Sequence, residues 1–97
     1  MDESLTYVAL DISGRPHLEY HVKSPKSKVG EFDVELAQEF FKALVTNAKL
    51  TMHIELIRGE NLHHIIESNF KAVARVLRTA TEFDPRAKGV PSTKGVL

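Results

Sequence analysis

The sequence predicts an α+β fold in two layers, a small sheet covered on one face by two helices, and two observations carry that prediction. From Leu50 to Arg58 apolar and polar residues alternate, with Leu50, Met52, Ile54 and Leu56 set against Thr51, His53 and Glu55, the period of a strand with one buried face. In Leu36–Ala48 and again in Leu62–Ala80 the apolar residues recur at three- and four-residue steps, the period of a helix with one apolar stripe.

Thr6 to Asp11 and His17 to Val22, with their β-branched and aromatic residues, are predicted strands. The intervening Ser13-Gly14-Arg15-Pro16 is turn chemistry, so the two should pair as a hairpin. Lys23 to Lys28 is a loop of Ser, Pro and Lys, Val29 to Phe32 is a further short strand, and the carboxylate of Asp33 can cap the helix that follows. That helix presents Leu36, Ala37, Phe40, Phe41, Leu44, Val45 and Ala48 to the sheet. Gly59 ends the alternating strand, and Asn61 caps a second helix, to about Thr79, which buries Leu62, Ile65, Ile66, Phe70, Val73, Val76, Leu77 and Ala80. The expected order is βββαβα. Beyond it, Pro85, Gly89, Pro91 and Gly95 predict an irregular tail over 81–97 with no domain of its own.

Ninety-seven residues, 42% hydrophobic, make one small domain too short to enclose a cleft on all sides, so an active site would be completed by another chain. Thirteen basic and thirteen acidic residues cancel, which leaves no net field to attract nucleic acid or an acidic membrane. The absence of cysteine removes disulfides, thiolate zinc sites and thiol nucleophiles, and leaves His and carboxylates as metal ligands. The start, MDESLTYVAL, lacks a basic segment followed by a long apolar run, and no stretch of about eighteen apolar residues occurs, so a soluble, cytoplasmic protein is expected. No Gly-rich phosphate loop or nucleophile elbow is present.

Chemistry concentrates at the start of the second helix. At roughly 100° per residue, His63 at zero places Glu67 near 40°, Lys71 near 80° and His64 near 100°, so two imidazoles bracket a carboxylate on a face turned away from the apolar stripe. Such N and O donors suit first-row divalent ions. The same pattern also suits a solvated face on which Glu67 pairs with His63 and Lys71. His53, alone on the polar side of its strand, reads as a hydrogen-bonding histidine, and His17 and His21 as surface residues. Arg75, Arg78, Arg86, Lys88 and Lys94, with the Ser92 and Thr93 hydroxyls, could hold a phosphate or simply be solvated charge.

From Gly30 onward the runs GEFDVELAQEFFKAL, LTMHIELIRGENLHHIIESNFKAVARVLR and DPRAKGVPSTKGVL resemble, in order and spacing, the carboxy-terminal half of imidazoleglycerol-phosphate dehydratase, and MDE before a strand resembles that half's start. The segments NLHHIIESNFKA and PSTKGVL are two separate motifs of that family at the expected separation. The resemblance implies a ribosomal protein S5 domain 2-like half-domain spanning 1–97, one of a duplicated pair. It also implies that His63, His64 and Glu67 bind metal, that Glu39 on the first helix is a further ligand, and that Lys71 meets the substrate. Glu67 and Lys71 are then the candidate catalytic groups, and Ser92, Thr93 and Lys94 the phosphate-binding tail that completes the substrate site.

In the complete enzyme the resemblance implies manganese, with other first-row divalent metals as substitutes, and a small phosphorylated imidazole as substrate. The reaction belongs to histidine biosynthesis: imidazoleglycerol phosphate loses water to give imidazole-acetol phosphate, a carbon–oxygen lyase step. The other half, with its own His-His-x-x-Glu and its arginines, is not within these residues. The expected partner is therefore that half or a second copy of this chain, with no role for nucleic acid or membrane. The alternative expectation is a self-assembling, metal-binding half-domain without turnover.

Overall fold

The computed structural model describes residues 2–23 and 28–82, with side chains described for 2–23 and 33–82. It contains strands β1 (Leu5–Asp11) and β2 (His17–His21), helix α1 (Lys28–Ala48), strand β3 (Thr51–Arg58) and helix α2 (Leu62–Thr81). The three strands form one sheet in the order β1-β3-β2. β3 runs antiparallel to β1 and parallel to β2, so Leu10, Met52 and Leu18 line up across the sheet, and Val8, Ile54 and Tyr20 form the next row.

Those rows are the floor of the core. Phe41 and Val45 of α1 and Val73 of α2 close over Met52 and Ile54, and Phe41, Met52 and Ile54 have no exposed surface. Each such side chain contributes about 1.5–3 kcal/mol by leaving water. The Phe70 ring lies 4.8 Å from that of Phe41 and joins the two helices over the sheet. α1 ends with Lys49 in the left-handed region (φ 56°), and the Leu50 N–H reaches back 3.1 Å to the Val45 carbonyl, closing the last turn before β3 begins.

The α+β class and the two helices over one sheet agree with the sequence reading, and three details differ. First, β1 and β2 are not a hairpin, because β3 lies between them. The segment joining them crosses the start of β3 instead, where Gly14 (φ 75°) donates its N–H to the Lys49 carbonyl and the His17 N–H bonds the Leu50 carbonyl. β3 carries the most deeply buried side chains of the sheet, and the central position pairs it on both edges over Thr51–Glu55.

Second, Val29 to Phe32 is helical, because α1 starts at Lys28 rather than at Asp33, and the order is ββαβα. The reason is legible in hindsight: Val29, Phe32, Leu36 and Phe40 stand three and four residues apart, a helical step with no alternation. Third, the apolar stripes are wider than the sheet can cover. Leu36 and Phe40 are 52% and 54% exposed and Ala48 and Ala80 are exposed, while the face of α2 that is buried includes Ser68 and Asn69.

Those two polar residues are fully served. The Thr6 hydroxyl donates to Asn69 Oδ1 at 3.0 Å and lies 2.6 Å from Ser68 Oγ, and Asn69 Nδ2 donates to the Tyr20 hydroxyl at 2.9 Å. Asn69 thus bridges β1 and β2 on either side of the core without leaving an unpaired polar atom. Among the described residues no helix is long and apolar enough to cross a membrane.

Candidate metal centre

α2 opens on Asn61, whose extended backbone and side-chain oxygen make it an N-cap: Oδ1 accepts from the His64 N–H at 3.1 Å while the Asn61 carbonyl accepts from the Ile65 N–H at 2.9 Å. The cap fixes the first turn, and with it the directions of His63 and His64. Ile65, with no exposed surface, anchors that turn to the core.

His63 projects into solvent, 81% exposed, with Nε2 3.2 Å from Glu67 Oε2 one turn along. The other oxygen, Glu67 Oε1, accepts from Lys71 Nζ at 3.0 Å. The Lys71 hydrogen bond, reinforced by the charges of Lys71, His63 and His64, holds the Glu67 carboxyl below its ordinary value against the opposing effect of desolvation. Glu67 is therefore an ionised group set between an imidazole and an ammonium, and a groove of about 340 Å³ lined by Ser4, Thr6, Ser68, Lys71 and Arg75 runs on between β1 and α2.

His64 turns the other way. Its ring centroid is 6.4 Å from that of His63 at an interplanar angle of 61°, and its Nδ1 lies 2.6 Å from Glu3 Oε1. Glu3 Oε2 accepts the backbone N–H groups of Glu60 at 2.7 Å and Asn61 at 3.0 Å, and the Ser4 hydroxyl at 3.0 Å. These bonds, that from Asn61 foremost, hold the Glu3 carboxyl well below the usual carboxylate range. Glu3 was not visible as a site residue in the sequence, since it meets His64 across a separation of 61 positions and belongs to no periodic pattern. The only hint is an acidic pair, Asp2-Glu3, directly before a strand.

Glu39 is exposed on α1. Among the described residues no group of three or more His, Cys, Asp or Glu side chains is gathered closely enough to hold a metal ion, so the four predicted ligands do not converge within one chain. Two imidazoles and a carboxylate still fit a first-row divalent ion chemically. The chain offers them as one pair, His63 with Glu67, and one separate nitrogen on His64.

Ser92, Thr93 and Lys94 lie outside the described residues, as do Arg86 and Lys88. Arg75 and Arg78 are exposed on α2. His17, His21 and His53 are on the sheet face turned away from the helices: His17 and His21 bond opposite oxygens of Glu19 at 2.7 and 3.1 Å, and the His53 ring is 6.4 Å from that of His17.

The sequence profile of imidazoleglycerol-phosphate dehydratase matches residues 1–77. The enzyme of that name from Pelobacter propionicus is 60% identical over 97 residues, which is 100% of this chain and 50% of that protein. Solved structures of the family are similar as well, two among them. That of the dehydratase from Staphylococcus aureus superposes with a TM-score of 0.72 at 58% identity, covering 79% of this chain and 45% of the other. That of the Pyrococcus furiosus protein, in complex with (S)-C348, superposes with a TM-score of 0.87 at 41% identity, covering 100% and 53%. With that profile matching residues 1–77 and these relatives matching along the chain, the chain, which spans about half the length of its curated relatives, belongs to the imidazoleglycerol-phosphate dehydratase family.

Proposed function

We propose that this chain is the carboxy-terminal half of an imidazoleglycerol-phosphate dehydratase and serves histidine biosynthesis, contributing to the manganese-dependent loss of water from imidazoleglycerol phosphate that yields imidazole-acetol phosphate. The observation that carries the reading is the exposed array of His63, Glu67 and Lys71 beside His64 on the first turns of α2, in a chain of this family. His63 with Glu67, and His64 through Nε2, would hold the metal, and Glu39 would serve a site to which another chain contributes. A bound divalent manganese supplies Lewis acidity and a template for the substrate ring.

The chain's own groups account for the rest. Glu67 and Lys71 form an ionised carboxylate and a proton-bearing ammonium joined at 3.0 Å, a base and an acid side by side for removing a proton and releasing hydroxyl as water. Lys71 gives one N–H to Glu67 and keeps two for the oxygens of a phosphorylated substrate. Ser92, Thr93 and Lys94 would bind the phosphate.

A partner is part of this reading, either the other half or a second copy. It is supported by the dispersed donors and by large apolar side chains left at the surface: Leu36 and Phe40 on α1, and Leu5, Tyr7 and Ile57 on the sheet. The protein on this reading is cytoplasmic and has no nucleic-acid or membrane partner. Because among the described residues no three donors gather, a second reading stands beside it: a half that self-assembles and binds metal without turnover.

The test is metal content and dehydratase turnover of the purified chain with added Mn²⁺, compared with a His63→Ala, His64→Ala double variant. Stoichiometric metal and turnover, both lost in the variant, are expected if copies of the half complete a working site. Metal without turnover selects the second reading. Equal, negligible metal in both proteins overturns the assignment of these ligands.

A further inference from the structure

We propose that Glu3 is the positioning residue of the centre, holding the His64 ring as its Nδ1–H tautomer and directing Nε2 outward. The part that concerns metal rests on the reading of His64 as a ligand, whereas the tautomer itself does not.

The geometry leaves little choice. Glu3 Oε2 is occupied by three donors, the N–H groups of Glu60 and Asn61 and the Ser4 hydroxyl, so the carboxylate is anchored from behind with Oε1 aimed at the ring. An ionised carboxylate only accepts, and at 2.6 Å the atom facing it must be a donor, which places the ring proton on Nδ1. Among the described residues the other nitrogen makes no hydrogen bond: the Asp2 carboxylate stands near it with Oδ2 3.7 Å away, within ion-pair distance but too far for a hydrogen bond. A histidine that donates one nitrogen to a carboxylate and offers the other to a metal is the general arrangement by which an outer group sets ring orientation and basicity. Here the same carboxylate also bonds the two residues that lead into α2, so the ring and the helix start are held by one side chain.

Glu3→Gln separates this role from a merely structural one. The amide has one acceptor oxygen, which the Glu60 and Asn61 N–H groups claim, and its NH₂ must then face Nδ1. The backbone anchor survives while the ring is driven to the Nε2–H tautomer, which has no lone pair to offer outward.

The experiment reads the ring nitrogens of ¹⁵N-labelled wild type, Glu3→Gln and Glu3→Ala by long-range ¹H–¹⁵N correlation without metal, and then titrates each with Mn²⁺ alone, following free Mn²⁺ by electron paramagnetic resonance. Expected are a protonated Nδ1 and bare Nε2 for His64 in wild type, reversal in Glu3→Gln with amide exchange at Glu60 and Asn61 preserved, and at least about a tenfold loss of Mn²⁺ affinity in that variant. A wild-type ring protonated on Nε2, or a Glu3→Gln protein with the wild-type tautomer, overturns the proposal. A tautomer that switches as expected while neither wild type nor His64→Ala binds Mn²⁺ sustains the positioning of the ring and overturns the metal reading instead.

Discussion

Gly59 lies between the end of β3 and the cap of α2, where the backbone passes against two side chains. A Cβ added there would stand 2.7 Å from Ile65 Cγ1, 2.8 Å from Ser4 Oγ and 3.3 Å from Ile65 Cδ1. Cγ1 is not the free end of a flexible chain: it belongs to a β-branched residue with no exposed surface on the first turn of α2. Gly59→Ala must therefore push α2 from β3 or force Ile65 off its rotamer, an overpacking that costs about 1–3 kcal/mol. Against this, replacing Gly by Ala lowers the entropy of the unfolded chain and returns about 0.4–1 kcal/mol. Taking the middle of each range, the net is a destabilisation of roughly 1.3 kcal/mol, which for a domain of this size lowers Tm by roughly 5–10 °C. Thermal melts of wild type and Gly59→Ala followed by far-ultraviolet circular dichroism measure it. An unchanged or higher Tm would mean that the turn yields without cost and that close approach of the backbone is not why glycine stands there.

Two further predictions follow from polar groups. Asn69→Ala removes the bridge between Thr6 and Tyr20; Thr6 keeps the Ser68 hydroxyl, while the half-buried Tyr20 hydroxyl loses its bond to Asn69, so urea denaturation should show a loss of about 1–3 kcal/mol, with Tyr20→Phe in the same background recovering part of it. The Glu19 carboxyl is held below its ordinary value, first by its hydrogen bond to His17 and then by that to His21. A depressed carboxylate contributes stability that is present above the unfolded value of about 4.3 and is lost as pH falls through the folded one. Glu19→Gln should accordingly have a lower urea midpoint than wild type at pH 6 and a smaller deficit at pH 3; a deficit that does not change with pH would assign the effect to something other than ionisation.

What the sequence by itself determined is whatever local periodicity and local chemistry can encode. The alternation of Leu50, Met52, Ile54 and Leu56 specifies a strand with one buried face, and the steps through Ile65, Asn69 and Val73 specify which side of α2 is covered. The cap at Asn61 and the neighbourhood of His63, Glu67 and Lys71 follow from helical geometry alone, since residues four apart must adjoin. Even Asn69 was legible in principle, as a polar residue four positions from Ile65 and from Val73 and so inside the buried row.

The tertiary structure decided what depends on competition between distant segments. Two strands joined by a turn-rich stretch can pair with each other or admit a third between them, and only the burial gained by β3 at the centre settles it. How much of each apolar stripe is covered depends on the width of the sheet, which is why Leu36 and Phe40 remain outside. The carboxylate that holds His64 comes from Glu3, at the far end of the described chain, because β1 runs antiparallel beside β3 and so returns its beginning to the point where β3 ends and α2 starts. A hydrogen bond across 61 positions leaves no trace in local pattern, since it is formed by the topology that brings the start of the outer strand β1 to the end of the central strand β3.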